Sequence, residues 1–300
     1  MPQRSVVLTP GFLARLAGAL LFAWLVLMLA LGWQYVRSAT HVSCPSAGAA
    51  PEGFAAVEVP QPDGTSLPGW WHPAQNGAAL VLLAGHSGGR AAMLPEGAML
   101  AQAGYGVLTV DYRYCSGAQA TFGYDETGEA LAALDYARQQ PGVDRMGVFG
   151  FSAGGVAAIR AAAQTPGVDF VIAAGSYANL YDEMTAGQPV PLSLRWQLQR
   201  ASALAYWLQV STPPWQVSPI KDLPALAPRP VFLIHGEQEV ERTDGLEQFA
   251  VLQAAYPGEL DDRVQLWVVP GAGHGEYYAA AGAGYHDRLR GFIEESRRFW

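Results

Sequence analysis

A serine between glycines, a later glutamate and a still later histidine are the residues whose types and spacing could do chemistry. Ser152 stands in Gly150-Phe151-Ser152-Ala153-Gly154. This fits G-x-S-x-G, a sharp strand-to-helix turn that lifts a serine oxygen out of a sheet. A serine hydroxyl is a weak nucleophile until a base takes its proton, so a histidine must come within hydrogen-bond reach. A carboxylate must then hold the imidazole in the right tautomer and stabilise it when charged. His274, in Pro270-Gly271-Ala272-Gly273-His274, and Glu239, in His235-Gly236-Glu237-Gln238-Glu239, are the candidates for those roles. Glu237, Glu241 and Asp244 compete with Glu239 for the acid. For the pentapeptide alone, an ordinary Gly-rich turn is the bland alternative.

These three residues need elements that deliver them to one place. Residues 145–149 read as a short buried strand and 156–163 as a helix, so Ser152 falls at a strand-to-helix turn. Glu239 follows an apolar run ending at Ile234, and His274 follows one at residues 264–269. Catalytic groups in open parallel sheets gather at the carboxyl ends of strands, which points all three to one edge. Upstream, residues 54–59 and 65–71 read as paired strands around the turn Pro62-Asp63-Gly64. The run at 79–83 suits a strand buried on both faces. Helices are expected at 93–103, 126–140, 246–255 and 287–299, and further strands at 105–110, 170–174 and 229–234. Alternating strands and helices imply a mostly parallel sheet covered on both faces. The rhythm breaks at about residues 176–226, a stretch with Trp196, Tyr206, Trp207 and Trp215 and one helix near 192–210. So long an interruption reads as a helical lid over the site.

The N-terminus departs from this pattern. Residues 16–33 are uncharged and strongly apolar, and at ~1.5 Å per residue they span roughly 27 Å, enough for a bilayer core. No polar stripe marks the run as a core helix. It is longer than the ~7–15 apolar residues of a cleaved signal, and no small-x-small site follows closely. His41-Val42-Ser43-Cys44 matches a lipoprotein box poorly, with histidine where an aliphatic residue belongs. The reading is an uncleaved signal anchor within residues 1–36. Arg4 and Arg15 precede the span and only Arg37 follows it before Arg90, which puts the N-terminus in the cytoplasm and the large domain outside. Residues 37–53, rich in Ser, Ala, Gly and Pro, read as a flexible linker, with the catalytic domain at 54–300.

Composition sets the remaining bounds. Among 300 residues, 50% are hydrophobic and 15% charged, which excludes a disordered chain. A formal net charge of -8 argues against nucleic acid as a partner. Cys44 and Cys115 are too few for a cysteine scaffold or a cysteine-rich zinc site, and free thiols are the expected state.

Six segments in order carry a resemblance. They are Asp63-Gly64, Gly85-His86-Ser87-Gly88-Gly89, Asp111-Tyr112-Arg113, the Ser152 pentapeptide, the Glu239 segment and the His274 segment. The chain resembles the α/β-hydrolase superfamily over nearly everything after Phe54, and within it the membrane-anchored Bem46-like and dienelactone-hydrolase-like serine hydrolases. The resemblance implies an α/β-hydrolase fold with a Ser152–Glu239–His274 triad, in the chain order serine, acid, histidine. It also implies an oxyanion hole made by the backbone amides of Ala153 and Gly88, with no cofactor and no metal. Two departures stand out. His86-Ser87 replaces the usual His-Gly, and Glu239 replaces the usual aspartate.

The implied activity is hydrolysis of esters or related acyl compounds, the substrate a small molecule and the membrane a partner through the N-terminal helix. A serine peptidase or amidase on the same triad is the enzymatic alternative, and a non-catalytic binding protein on this scaffold is the other. Epoxide and haloalkane chemistry would by resemblance place aspartate where Ser152 stands. His86 and His235 read as loop and strand-end structure, and His72 and His286 carry no signal. Asp111 and Arg113 read as fixing a loop, and the insertion tryptophans as packing rather than a substrate wall.

Overall fold

The computed structural model describes residues 9–187, 189–256 and 262–300. Arg4, on which part of the expected orientation rests, lies outside them. The chain opens with one long helix, α1 (Pro10–Thr40). Proline is tolerated in its first turn, where no carbonyl awaits an N–H, and Thr9 caps it by accepting the Phe12 amide at 3.3 Å. Then come β1 (Ala55–Pro60), β2 (Ser66–His72), β3 (Ala78–Leu83), α2 (Leu94–Gln102), β4 (Gly106–Val110), α3 (Asp125–Arg138), β5 (Arg145–Phe151), α4 (Ala153–Gln164) and β6 (Phe170–Ala174). The inserted region holds α5 (Leu180–Met184), α6 (Leu194–Val210) and α7 (Pro219–Asp222). The fold closes with β7 (Val231–Gly236), α8 (Gly245–Ala255), β8 (Val264–Val269), α9 (Tyr277–Ala281) and α10 (Ala283–Ser296).

The strands form one sheet in the order β1-β2-β4-β3-β5-β6-β7-β8. The β1–β2 and β2–β4 pairs are antiparallel and the rest parallel. The β1–β2 hairpin turns where Asp63 Oδ1 accepts the Thr65 amide at 3.0 Å and Gly64 takes a left-handed φ of 85°. Every residue of β3, β4, β6 and β7 is buried, as helices on both faces require. Helix α4, built almost wholly of Ala and Gly at its start, packs tightly enough to bury all of Ala153–Ile159.

Three expectations change here. Residues 37–53 are not a free tether. Helix α1 runs through Thr40, whose carbonyl accepts the Ala120 amide at 2.8 Å, and Val42 and Cys44 pack against the core. Cys44 and Cys115 are not free thiols but a disulfide. Sequence could not pair them, because the contact depends on how the segment after α1 folds back onto the loop after β4. Two of the insertion tryptophans lie at the surface rather than in the core. Trp207 and Trp215 meet edge to face at 5.6 Å on the surface, each more than 40% exposed, while Tyr206 is the fully buried aromatic of α6.

The inserted helices are held from two sides. Tyr206 donates its hydroxyl to the Thr121 carbonyl at 2.8 Å. On the other side α6 packs against the second half of α1, which buries Met28, Gly32, Val36 and Thr40, one residue per turn. At Gly32 the two backbones touch. A Cβ there would stand 2.7 Å from the Ala201 carbonyl carbon, so only glycine fits.

Candidate active site

Strand β5 breaks into α4 at Ser152, which sits at φ 55°, ψ -122°. A side chain in that region is strained by about 1–3 kcal/mol and persists only where its surroundings over-determine it. Here the Ser152 amide donates to the Ala174 carbonyl at 2.7 Å, and the Val156 amide donates to the Ser152 carbonyl at 3.0 Å. The flanking glycines are obligatory for close approach. A Cβ on Gly150 would lie 2.0 Å from the Gly154 oxygen, and one on Gly154 would lie 2.3 Å from the Leu83 oxygen. The turn therefore needs its glycines, and it aims the Ser152 hydroxyl out of the sheet.

The loops after β7 and β8 bring the other two groups to it. His274 Nε2 lies 3.0 Å from Ser152 Oγ, and His274 Nδ1 lies 2.5 Å from Glu239 Oε2. The Phe151 ring tilts against the imidazole with centroids 4.9 Å apart, limiting its rotation. Glu239 is 3% exposed, and its Oε1 accepts the Gly236 amide at 2.9 Å and the Tyr277 hydroxyl at 2.5 Å. Burial alone would raise its pKa, but the hydrogen bonds from His274, Gly236 and Tyr277 outweigh burial and hold it at about 2. The carboxylate is thus charged throughout the neutral range, as a partner for an imidazolium must be. Conversely, burial together with the Glu239 charge raises the Tyr277 phenol far above its usual value, so it remains a donor.

The competing acids are engaged elsewhere. Glu237 accepts the Gly271 amide at 2.8 Å, Glu241 lines a neighbouring groove, and Asp244 stands just before α8 without a side-chain capping bond, its pKa raised by burial. Among the described residues none of the three hydrogen-bonds His274.

The two amides named for the oxyanion fare differently. Ala153 opens α4, and its N–H, among the described residues, has no acceptor, as the first amides of a helix lack intrahelical partners. The positive end of the helix dipole adds to it. Gly88 is not brought to the site in this way, because its N–H is donated to the Gly85 carbonyl at 2.9 Å and it faces a different cavity. Of that loop, Gly85 approaches the Ser152 side chain, and His86 lines the same cavity as Ser152, its ring stacked on Phe122 at 4.5 Å. Burial pushes the His86 ring below its usual pKa, with the Ala39 carbonyl opposing.

Ser152, Ala153 and His274 line a cavity of about 310 Å³. Its walls are mainly aliphatic and aromatic, from Phe122, Tyr177, Leu180, Met184 and Tyr206, with Tyr35, Val36 and Ala39 of α1 closing one side. At its mouth Arg242 pairs with Glu183 at 2.6 Å. Burial raises the Glu183 carboxyl while Arg242 draws it down. Sequence reasoning missed the α1 wall entirely. Nothing in an apolar run of membrane length marks its last turns as part of a pocket.

Other candidates sit outside this cavity. His235 is fully buried in β7 with Nδ1 2.9 Å from Thr243 Oγ1, and burial lowers its pKa to about 4. Asp111 accepts the Arg90 amide and guanidinium at 2.6 and 2.8 Å, and Arg113 bridges Asp63 and Glu129, so both fix loops.

Comparison with known proteins agrees with this architecture. The sequence pattern described as the prolyl oligopeptidase family matches residues 95–297. No curated protein matches the chain. Among solved structures, an esterase of Pyrococcus furiosus superposes with a TM-score of 0.67 at 22% identity, covering 85% of this chain and 98% of that one. The α/β-hydrolase GrgF of a Penicillium species gives 0.60 at 19%, covering 82% and 99%. An acylaminoacyl peptidase of Pyrococcus horikoshii gives 0.59 at 15%, covering 83% of this chain and 42% of the peptidase.

Proposed function

The chain belongs to the prolyl oligopeptidase family and has the α/β-hydrolase fold, and on that premise we propose that it is a membrane-anchored serine hydrolase of carboxylic esters. Ser152 is the nucleophile, His274 the base and then the acid, and Glu239 the group that orients and stabilises the imidazole. The observation that carries this reading is the hydrogen-bonded series Glu239–His274–Ser152 at the wall of an apolar cavity. His274 takes the serine proton as Oγ attacks the acyl carbon, and the tetrahedral oxyanion forms beside the free amide of Ala153. The His86 amide, also without an acceptor among the described residues, is the second donor in place of Gly88. Preorganised donors of this kind contribute roughly 3–4 kcal/mol each. His274 then protonates the leaving alcohol, and water repeats the sequence on the acyl-serine.

Helix α1 is the anchor, with the N-terminus cytoplasmic and the catalytic domain outside. Its length and apolar surface support a span, and the Cys44–Cys115 bridge fits an oxidising compartment. Retention of α1 is further supported by Tyr35 and Val36 in the cavity wall, which cleavage after residue 38 would remove. An intact chain should stay in the membrane pellet after alkaline washing, and a mature N-terminus beyond residue 38 would rule the anchor out.

A peptidase or amidase is the second reading, favoured by the family match and the likeness to an acylaminoacyl peptidase. Matched nitrophenyl esters and nitroanilides of the same acyl groups separate the two. Ester turnover well above anilide turnover is expected. Ser152→Ala should abolish turnover, on the order of 10⁶, and fluorophosphonate labelling, with little change in melting temperature. Activity retained in folded Ser152→Ala protein would refute the mechanism.

A further inference from the structure

The catalytic cavity has a neighbour that the reaction as described does not use. A groove of about 880 Å³ shares Tyr35, Glu183, Met184 and Arg242 with it and continues along Arg195, Leu198, Gln199 and Ser202, the N-terminal half of α6, with Gln238 and Glu241 also in its lining, so that it offers polar and apolar surface together. That half of α6 runs beside the part of α1 that leads back toward its free end. Trp24 Nε1 donates to Gln197 Oε1 at 2.6 Å, Gly32 meets Ala201, and Gln209 Nε2 donates to the Trp33 carbonyl at 3.0 Å. The two helices therefore run in the same direction, and the groove joins the Ser152 cavity to the part of α6 that begins near the level of Trp24.

The length of α1 sets where that level lies. Pro10 to Leu27 is exposed apart from the Trp24 contact with Gln197, and burial begins at Met28, so the span starts N-terminal of the 16–33 run, with Arg15 near its inner end where a long basic side chain snorkels to the interface. The free stretch is about 27 Å long, close to the ~30 Å of a hydrocarbon core. Val36, in the cavity wall, stands about 13 Å farther along the same unbroken helix. The headgroup layer is only roughly 5–7 Å thick on each side. The cavity is thus held just above the membrane surface, with the groove beside it along the start of α6. Next to Arg195 of the groove, the tip of the insertion presents Val190, Leu192 and Leu194 at 74%, 75% and 58% exposure. Leu192 is held there in a left-handed backbone conformation, its carbonyl accepting Gln197 Nε2 at 2.7 Å, one step from Trp24. An exposed aliphatic tip continuous with a membrane helix is suited to sit among lipid chains rather than in water.

We propose that the substrate is an ester of a membrane-resident amphiphile. Its acyl chain leaves the leaflet at the Leu192–Leu194 tip, follows the groove under α6 past Tyr35 and Met184, and presents its ester carbonyl to Ser152. This inference rests on the anchored serine-hydrolase reading.

The test uses the full chain reconstituted in phosphatidylcholine vesicles. Hydrolysis of 4-methylumbelliferyl palmitate dissolved in the bilayer is compared with hydrolysis of 4-methylumbelliferyl butyrate added in water. Leu192→Glu with Leu194→Glu places charges on the exposed tip, where neither residue lines the cavity. It should lower palmitate turnover at least tenfold while butyrate turnover and fluorophosphonate labelling stay within about twofold. Equal effects on both esters, or no effect on palmitate, would overturn the membrane route. Butyrate turnover by the unmodified protein without palmitate turnover would also overturn it, leaving the hydrolase reading intact. If neither ester is cleaved and Ser152 never labels, the hydrolase reading fails and the substrate inference fails with it.

Discussion

Replacing Glu239 by glutamine tests the proposed proton relay at its most specific point. The exchange preserves shape and removes one charge, so its outcome depends on which way the new amide points. The Gly236 N–H at 2.9 Å and the Tyr277 hydroxyl at 2.5 Å both converge on Oε1. In glutamine that position must go to the amide oxygen, because an NH₂ there would confront two donors. The NH₂ then stands where Oε2 was, 2.5 Å from His274 Nδ1, and donates to it. The imidazole must carry its proton on Nε2, the nitrogen 3.0 Å from Ser152 Oγ, and can no longer accept the serine proton. An acid-to-amide exchange that traps the wrong tautomer in a comparable triad lowers kcat about 10⁴-fold, or ~5.4 kcal/mol at the transition state. For Glu239→Gln we expect a fall of that order in kcat on a short ester, a similar slowing of fluorophosphonate labelling, and a KM within a few-fold of the parent. Glu237→Gln and Asp244→Asn should change kcat less than threefold. A folded Glu239→Gln protein with more than a tenth of parental kcat would refute the reasoning, as would a collapse caused by either neighbouring substitution.

Three further outcomes follow from the same geometry. Gly154→Ala forces a Cβ to within 2.3 Å of the Leu83 oxygen and 2.4 Å of the Ala84 oxygen, both backbone, and should destabilise by about 3 kcal/mol, lowering Tm by roughly 6–12 °C; an unchanged melting curve would contradict that close packing. The Cys44–Cys115 bridge closes a loop with a sequence separation of 71, so Cys44→Ala with Cys115→Ala should lose about 4 kcal/mol in denaturant unfolding; a midpoint equal to the parent's would mean that the bridge does not constrain the unfolded chain. Because Glu239 is held at about 2 against an ordinary 4.5, the folded state binds fewer protons than the unfolded chain between those values. Its contribution is complete above about pH 5 and drains away as the pH falls toward 2. The parent's Tm should therefore drop more steeply over that window than the Tm of Glu239→Gln, and parallel profiles would count against it.

Much of the site was legible in the sequence because its chemistry is local. Gly150 and Gly154 are demanded by backbone approaches of 2.0 and 2.3 Å, so a serine between glycines after an apolar strand carries its geometry with it. The sheet was legible for a similar reason, since strands buried on both faces are written as unbroken apolar runs such as β3 and β7. The loop after β3 was harder to read. Whether Gly88 or His86 offers a free amide depends on one turn, in which the Gly88 N–H closes onto Gly85.

The order and types of Ser152, Glu239 and His274, the alternating elements between them and the apolar length of the first helix are properties of the chain itself. They follow from periodicity, steric need and residue chemistry within short windows. What only the tertiary structure decided is what those elements meet. Cys44 meets Cys115, Glu239 rather than its neighbours turns toward His274, and Gly32 lets α1 touch α6 so closely that Tyr35, Val36 and Ala39 become a wall of the cavity beside Ser152. These contacts join residues far apart in sequence. The pattern around each residue records that it is apolar, small or acidic, whereas its partner is chosen by the packing of the whole chain.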